Sequence, residues 1–444
     1  MTNTRSLGAL ILVSILAVTL APVSALAQAT VAGVAYVTTP GGDARTRISL
    51  FTPDPFFAGD ELEGLAYFGV IDDPESRAPV PWTQKDGDVT IRFEHFGSEI
   101  NATWVDPGKV LSGTWTKDRG EQGRAVLPFR AVFDDQDEIY ESPPIKYLTA
   151  VRNWMVIMGD SDDPVLLEIK GNADARLLAT VISETGDYRY LRGVATGPTE
   201  FELSTFDGSH AFFIKGQVGQ DPGAPRGSLP SDVRGNFYSG NWYRTSFEGV
   251  PTERFRRTPP DRRVRATDVS LSDLQYPDLD GDIRTLDDPE LRGDVTILQV
   301  FGSWCPNCGD GTRLLEEMQA VYGGQGLKII GLAFEVATDP EEAARRVRAH
   351  QARYNADWPV LLAGPADKQR AAEAFPLISS VAAYPTFLFV NHEGEVEKVF
   401  SGFDGPATGN RYEWWERTFH SQIKEMLRNA ESASDSAEQA SDGS

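Results

Sequence analysis

Hydrophobic and polar positions change rhythm twice along this chain. From Thr30 to about Glu253, short apolar–polar alternations recur, as in Val89-Thr90-Ile91-Arg92-Phe93 and Phe201-Glu202-Leu203-Ser204-Thr205-Phe206. Gly, Asp, Asn and Pro interrupt them at short intervals. A period of two gives each strand one apolar face, and closely spaced turn residues join antiparallel neighbours. The region therefore predicts an all-β sandwich or barrel-like domain over residues 28–253. Leu111-Ser112-Gly113-Thr114-Trp115 and Tyr238-Ser239-Gly240-Asn241-Trp242 both place small residues before a Trp, an echo too short to establish a repeat.

Residues 254–268 break the pattern with six Arg and two consecutive Pro, and read as an exposed linker. Beyond Val269 the rhythm is different again. Val295 to Phe301 is a continuous apolar run, the mark of a strand buried on both faces. A helical stretch follows from Cys305 to Tyr322, a second buried strand from Leu327 to Phe334, and a helix from Pro340 to Tyr354 with Pro in its first turn. Trp358 to Leu362, Thr386 to Val390 and Val396 to Phe400 read as further strands, the last two joined by His392-Glu393-Gly394, and Tyr412 to Asn429 as a closing helix. Strands alternating with helices and ending in a hairpin predict an α/β domain over 269–430, with a mixed sheet flanked by helices. The tail, 431–444, holds only small, polar and acidic residues and is expected to be disordered.

The N-terminus has another purpose. Arg5, an apolar run from Leu7 to Leu20 and Ala25-Leu26-Ala27 are the three parts of a cleavable export signal over residues 1–27. The run is shorter than the ~20 residues a spanning helix needs, so the mature chain is expected to carry no membrane span and to act in the periplasm. Asp and Glu total 65 against 42 Lys and Arg, a net charge of −23. Such a surface repels phosphate, which argues against nucleic acid as a partner.

The 444 residues contain two cysteines, Cys305 and Cys308, in Trp304-Cys305-Pro306-Asn307-Cys308. The motif follows a buried strand and opens a helix. Unpaired N–H groups at a helix start favour an anion, so Cys305 is expected to be the low-pKa, attacking sulfur. Cys308, one turn further in, is placed to resolve a mixed disulfide. A zinc site would need two more ligands, and the five His are scattered without ligand spacing. No metal and no cofactor is implied.

With those residues in view, the C-terminal region resembles the thioredoxin-like domain of the TlpA/ResA group of exported thiol–disulfide oxidoreductases. The matching stretches are Phe301 to Cys308, Tyr384-Pro385-Thr386-Phe387-Leu388-Phe389 and Asn391 to Val396. The resemblance implies that Pro385 is the cis-proline beside the dithiol and that the Tyr384 backbone pairs with a substrate segment. Trp304, Pro306 and Asn307 would support substrate binding. Gln299 stands where thioredoxin has a buried Asp, and Gly311 where ResA-like proteins usually have Glu. The proton acceptor for the buried thiol is left open between Asp310 and Glu335. Gly186 to Leu191 and Ser204 to His210 resemble the β-rich extension of some large TlpA-like proteins. Asp207 beside His210 reads as a turn-capping pair.

The expected function is an exported thiol–disulfide oxidoreductase that reduces protein disulfides. The resemblance implies disulfide-containing client proteins and a membrane electron donor. The alternatives are a binding or assembly protein whose β domain carries the main role, and a DsbA-like oxidase.

Overall fold

A computed structural model of the chain describes residues 29–52, 61–69, 79–133, 153–171, 177–219 and 232–442. The expected export signal lies outside the described residues. Alternation decides which side of each early strand faces inward; along Arg124–Val132 nearly every second residue is buried. Eight such strands, β1 to β8, span Ala29–Thr39, Gly42–Thr52, Glu61–Phe68, Val80–Lys85, Asp88–Phe93, Ser98–Asp106, Val110–Asp118 and Arg124–Val132. Each pairs antiparallel with the next, and β1 pairs with β8, so the sheet closes. A second set, β9 to β16, spans Asn153–Met158, Val165–Gly171, Leu177–Ile182, Leu191–Ala195, Glu200–Phe206, Ala211–Gly219, Asp232–Ser239 and Tyr243–Pro251, and closes by pairing β16 with β9.

The single β domain expected from the sequence is therefore two up-and-down barrels. Alternation and turn spacing look the same in an open sandwich and in a closed barrel, and only the pairing of first with last strand distinguishes them. An eight-stranded barrel has an interior that side chains can fill. Trp82, Ile91 and Trp115 fill the first, and Trp154, Phe201 and Phe247 the second. The echo noted in the sequence begins on the seventh strand of each barrel, and its two Trp rings lie 6.2 Å apart.

The turn between β13 and β14 joins the barrels. Phe206 and Ala211 leave their own barrel and belong to the core of the first. The Phe206 ring sits 5.7 Å from Phe68, 6.0 Å from Phe93 and 5.3 Å from Trp115.

The α/β domain starts with a small hairpin, β17 (Gln275–Pro277) and β18 (Ile283–Thr285). It continues as β19 (Val295–Phe301), α1 (Pro306–Tyr322), β20 (Leu327–Glu335), α2 (Pro340–Tyr354), β21 (Val360–Pro365), α3 (Lys368–Ala374), β22 (Thr386–Asn391), β23 (Val396–Ser401) and α4 (Asn410–Asp442). The sheet order is β21-β20-β19-β22-β23, with the first three parallel and the last two antiparallel. Central β19 is buried at all seven positions, which explains its unbroken apolar run.

Two expectations are corrected. Residues 254–268 are not a free linker, although their outer side is exposed. Arg257 donates two hydrogen bonds to the Asp404 carboxylate at 2.7 and 2.6 Å and a third to the Ser183 carbonyl at 3.0 Å. Arg263 reaches the Ser401 carbonyl at 2.7 Å, Val264 is buried, and Thr267 N–H bonds to the Leu377 carbonyl at 2.9 Å. An Arg-rich segment looks solvated until carboxylates and carbonyls from distant turns meet it. Nor are residues 431–442 of the tail disordered; they continue α4 as far as Asp442. The buried row Trp415, Phe419, Ile423 and Met426 anchors that helix. Ala, Glu and Gln then have only to propagate it, the less costly step of helix formation.

Candidate active site

Between β19 and α1 the chain turns through Gly302, Ser303 and Trp304, and Cys305 caps the helix in an extended conformation. Cys308 and Gly309 N–H groups donate to the Cys305 carbonyl at 3.0 and 3.2 Å. Pro306 occupies the first helical position, where no N–H is needed. Both sulfurs are free thiols; Cys305 is 9% exposed and Cys308 is fully buried. The Cys308 thiol donating to Cys305 lowers the Cys305 pKa against the opposing effect of burial. The backbone N–H groups of Cys308 and Asn307 and the Arg189 charge lower it further. Cys308 is pushed well up, first by burial, then by Cys305 and Glu335. The two thiols are thus differentiated, one toward thiolate and one toward thiol.

The bond between Tyr384 and Pro385 is cis, and the Cys305 thiol faces the Tyr384 carbonyl at 3.8 Å. The Trp304 indole donates to the Phe334 carbonyl at 2.9 Å and meets the Tyr384 ring edge-on at 5.5 Å. Glu335, at the end of β20, accepts from Ser303 N–H and Ser303 Oγ, both at 2.7 Å. Burial pushes its carboxyl up to about 7, despite those bonds. Gln299 donates to the Cys308 carbonyl at 3.3 Å and to Thr312 Oγ1 at 3.0 Å, and Thr312 pairs with His350 at 3.0 Å. Gly311 has a packing reason: a Cβ there would lie 2.8 Å from the Phe387 ring and 3.3 Å from Pro385.

The barrels supply the rest of the surroundings, which the sequence reading did not reach. The loop between β11 and β12 lies on the start of α1. Its Arg189, at a φ of +67°, forms a buried ion pair with Asp310 and approaches the Pro306 carbonyl at 3.4 Å. That pair engages the Asp310 carboxylate with a guanidinium. Asn307 donates to the Asp187 and Phe403 carbonyls at 3.2 and 3.4 Å, so the second barrel engages it. Asp187 also accepts from Gly405 N–H at 2.6 Å, and burial lifts its carboxyl to about 6. Asp207 accepts from the N–H groups of Ser209 and His210 at 2.8 and 2.6 Å, a turn cap.

A cleft of about 960 Å³ opens where the barrels meet the α/β domain. Trp304 and Glu335 line one side, and Lys117, Tyr188, His210 and Trp242 are among the residues of the other. Tyr188, Phe212 and Phe237 form a continuous aromatic wall, with centroids 5.3 to 5.5 Å apart.

Residues 265–399 match the AhpC/TSA family model. Thiol–disulfide oxidoreductase ResA of Halalkalibacterium halodurans is 28% identical over 143 residues, which cover 32% of this chain and 72% of that protein. ResA of Geobacillus thermodenitrificans is 24% identical, over 32% and 73%. The C-terminal domain is TlpA/ResA-like, with a thioredoxin fold. Among solved structures, the thioredoxin-like domain is similar to a secreted disulfide oxidoreductase of Mycobacterium tuberculosis, homologous to DsbE of E. coli. That match has 19% identity, covers 33% of this chain and 98% of the other, and has a TM-score of 0.24. The thioredoxin domain of a Bacteroides vulgatus thiol-disulfide oxidoreductase matches at 18% identity, over 35% and 98%, with a TM-score of 0.26. Among the described residues, no helix is long and apolar enough to cross a membrane. The chain is an oxidoreductase of the thiol–disulfide type.

Proposed function

We propose that the chain is exported and reduces disulfides in client proteins through Cys305 and Cys308. The observation that carries this reading is the placement of two free thiols at one helix start, with Cys305 at the N-cap facing the Tyr384 carbonyl beside the cis Pro385 bond and Cys308 fully buried behind it. The Cys305 thiolate attacks one sulfur of a client disulfide. The client S–S bond breaks, an enzyme–client S–S bond forms, and the released client thiolate takes up a proton. Cys308 then loses its proton and attacks Cys305 Sγ, releasing the second client thiol and leaving the enzyme oxidised. Glu335 is the proton acceptor of this second step, since a carboxyl titrating near 7 can take and return a proton at neutral pH. A membrane electron donor regenerates the dithiol, and residues 28–253 select or position clients. Tyr384 and Pro385 border the client-binding strip beside Cys305.

The test is the asymmetry of the two cysteine variants in the full chain. Cys305→Ser should abolish disulfide reduction, and Cys308→Ser should accumulate mixed disulfides with clients, read by non-reducing gels and mass spectrometry. Trapping by Cys305→Ser instead would reverse the assignment of roles. The dithiol potential separates reductase from oxidase: a value near about −270 mV supports reduction, and one near about −120 mV supports a DsbA-like oxidase.

A further inference from the structure

Lys117 stands at the end of β7 in the first barrel, a position that in sequence is an ordinary polar strand end. In the fold it faces the redox centre. Its Nζ donates to the Ser209 carbonyl at 2.6 Å and to Ser209 Oγ at 2.7 Å. Ser209 Oγ in turn donates to the Trp304 carbonyl at 3.1 Å. Trp304 is the residue directly before Cys305, so three residues link a barrel ammonium to the peptide that presents the attacking sulfur. Lys117 and Trp304 also line the same cleft.

The linkage is built. Ser209 is fully buried and belongs to the turn whose Phe206 plugs the first barrel. Its N–H is held by Asp207 at 2.8 Å, which fixes the turn backbone, and its Oγ is held between Lys117 Nζ and the Trp304 carbonyl. Both barrels are needed: one carries the ammonium and the other the serine that aims it.

We propose that Lys117 is a positioning residue of the redox centre, whose charge stabilises the Cys305 thiolate across the Ser209 bridge. The first barrel thereby completes the centre rather than standing beside it. The proposal rests on the reading of Cys305 as the attacking sulfur and adds what sets its acidity.

Charges on every neighbouring element enter the balance. Burial lowers the Lys117 amine to about 8, while Asp207 and the Cys305 sulfur favour its charged form and Arg119 and Arg346 oppose it. At neutral pH it remains a cation. Around Cys305 stand Cys308, Arg189 from the second barrel, Lys368 on α3 and Tyr384 before Pro385, while Glu335 at the end of β20 acts on Cys308. Arg189 is already committed to Asp310. Lys368 donates to the Ala382 carbonyl at 2.6 Å.

The experiment is the pH dependence of Cys305 alkylation by iodoacetamide in the full reduced chain, with each thiol followed by peptide mapping. Lys117→Gln keeps a donor for Ser209 but removes the charge. It should move the Cys305 midpoint up by about one pH unit, the lower end of the effect of a nearby opposite charge. The alkylation rate below the midpoint should fall about tenfold. Lys117→Arg should restore the parent midpoint. Ser209→Ala, which leaves the charge but removes the bridge, should give a smaller shift in the same direction. Thermal unfolding of each variant identifies any that fail to fold, and Lys117→Arg against Lys117→Gln then isolates charge from packing. An unchanged midpoint in a folded Lys117→Gln chain overturns the proposal. If the parent chain itself alkylates first at Cys308, the attacking-sulfur reading fails instead, so the two failures are distinguishable.

Discussion

At the scale of the residue, Glu335 shows how burial turns a strand-end carboxylate into a neutral-pH acid. Its ordinary value is 4.5, and in the fold it titrates at about 7. The folded state therefore holds the proton more tightly than the unfolded chain. Stability from this group is fully present below about pH 4.5 and is lost as the pH rises through 7. The shift corresponds to about 3 kcal/mol. Glu335→Gln should remove that loss, so its stability relative to the parent should improve by up to about 3 kcal/mol between pH 4.5 and pH 8 in urea titrations. A loss of Ser303 hydrogen bonding costs about 1 kcal/mol at every pH and leaves the slope untouched. A pH-independent difference between variant and parent would contradict the assignment. Of the residues singled out in sequence, Glu335, Trp304, Tyr384 and Pro385 gather at the dithiol, whereas Asp310 and Asn307 are taken up by the second barrel. Neither partner could be guessed, because Arg189 and Asp187 lie more than a hundred positions away.

Among the elements, the turn from Phe206 to Ala211 matters most for its length. Its apolar ends enter the first barrel while Ser209 meets Trp304. Phe206→Ala should leave a cavity between Phe68, Phe93 and Trp115 and cost about 3–5 kcal/mol in denaturant unfolding. A cost below about 1 kcal/mol would mean that the barrels do not depend on the plug. The long elements of the α/β domain were legible from the chain: α2 runs from Pro340 to Tyr354, the span its pattern predicts. Its limits are local, since Asp339 accepts from Glu342 N–H at 3.1 Å and Asn355 ends it at a φ of +55°. Helix α3 was missed because seven residues give too little periodicity.

For the whole molecule, the decisive feature is that barrels and thioredoxin-like domain share surfaces around one dithiol. Arg346 on α2 bonds Asp118 of the first barrel at 2.6 Å, and Arg257 ties the strap formed by residues 254–268 to Asp404. The strap carries exposed Arg254, Arg256, Arg262 and Arg265, each a trypsin site. Arg257→Ala should speed cleavage at those positions severalfold, followed by mass spectrometry, because a protease needs a segment that can leave its seat. Asp404→Asn should act alike, and cleavage at the parent rate in both would show that the strap is held by other contacts.

The sequence by itself determined what depends on near neighbours. Alternation set the inward faces of the strands, the apolar run marked β19, and the position of C-x-x-C between strand and helix defined the reactive pair. The resemblance to TlpA/ResA proteins rested on those same local stretches. Only the tertiary structure decided that the β region is two closed barrels, that Asp187, Arg189 and Ser209 of the second barrel meet the residues flanking the dithiol, and that Lys117 is linked to it through Ser209. Closure and docking join residues far apart in the chain, and no periodicity or spacing records which distant strand end will meet which thiol.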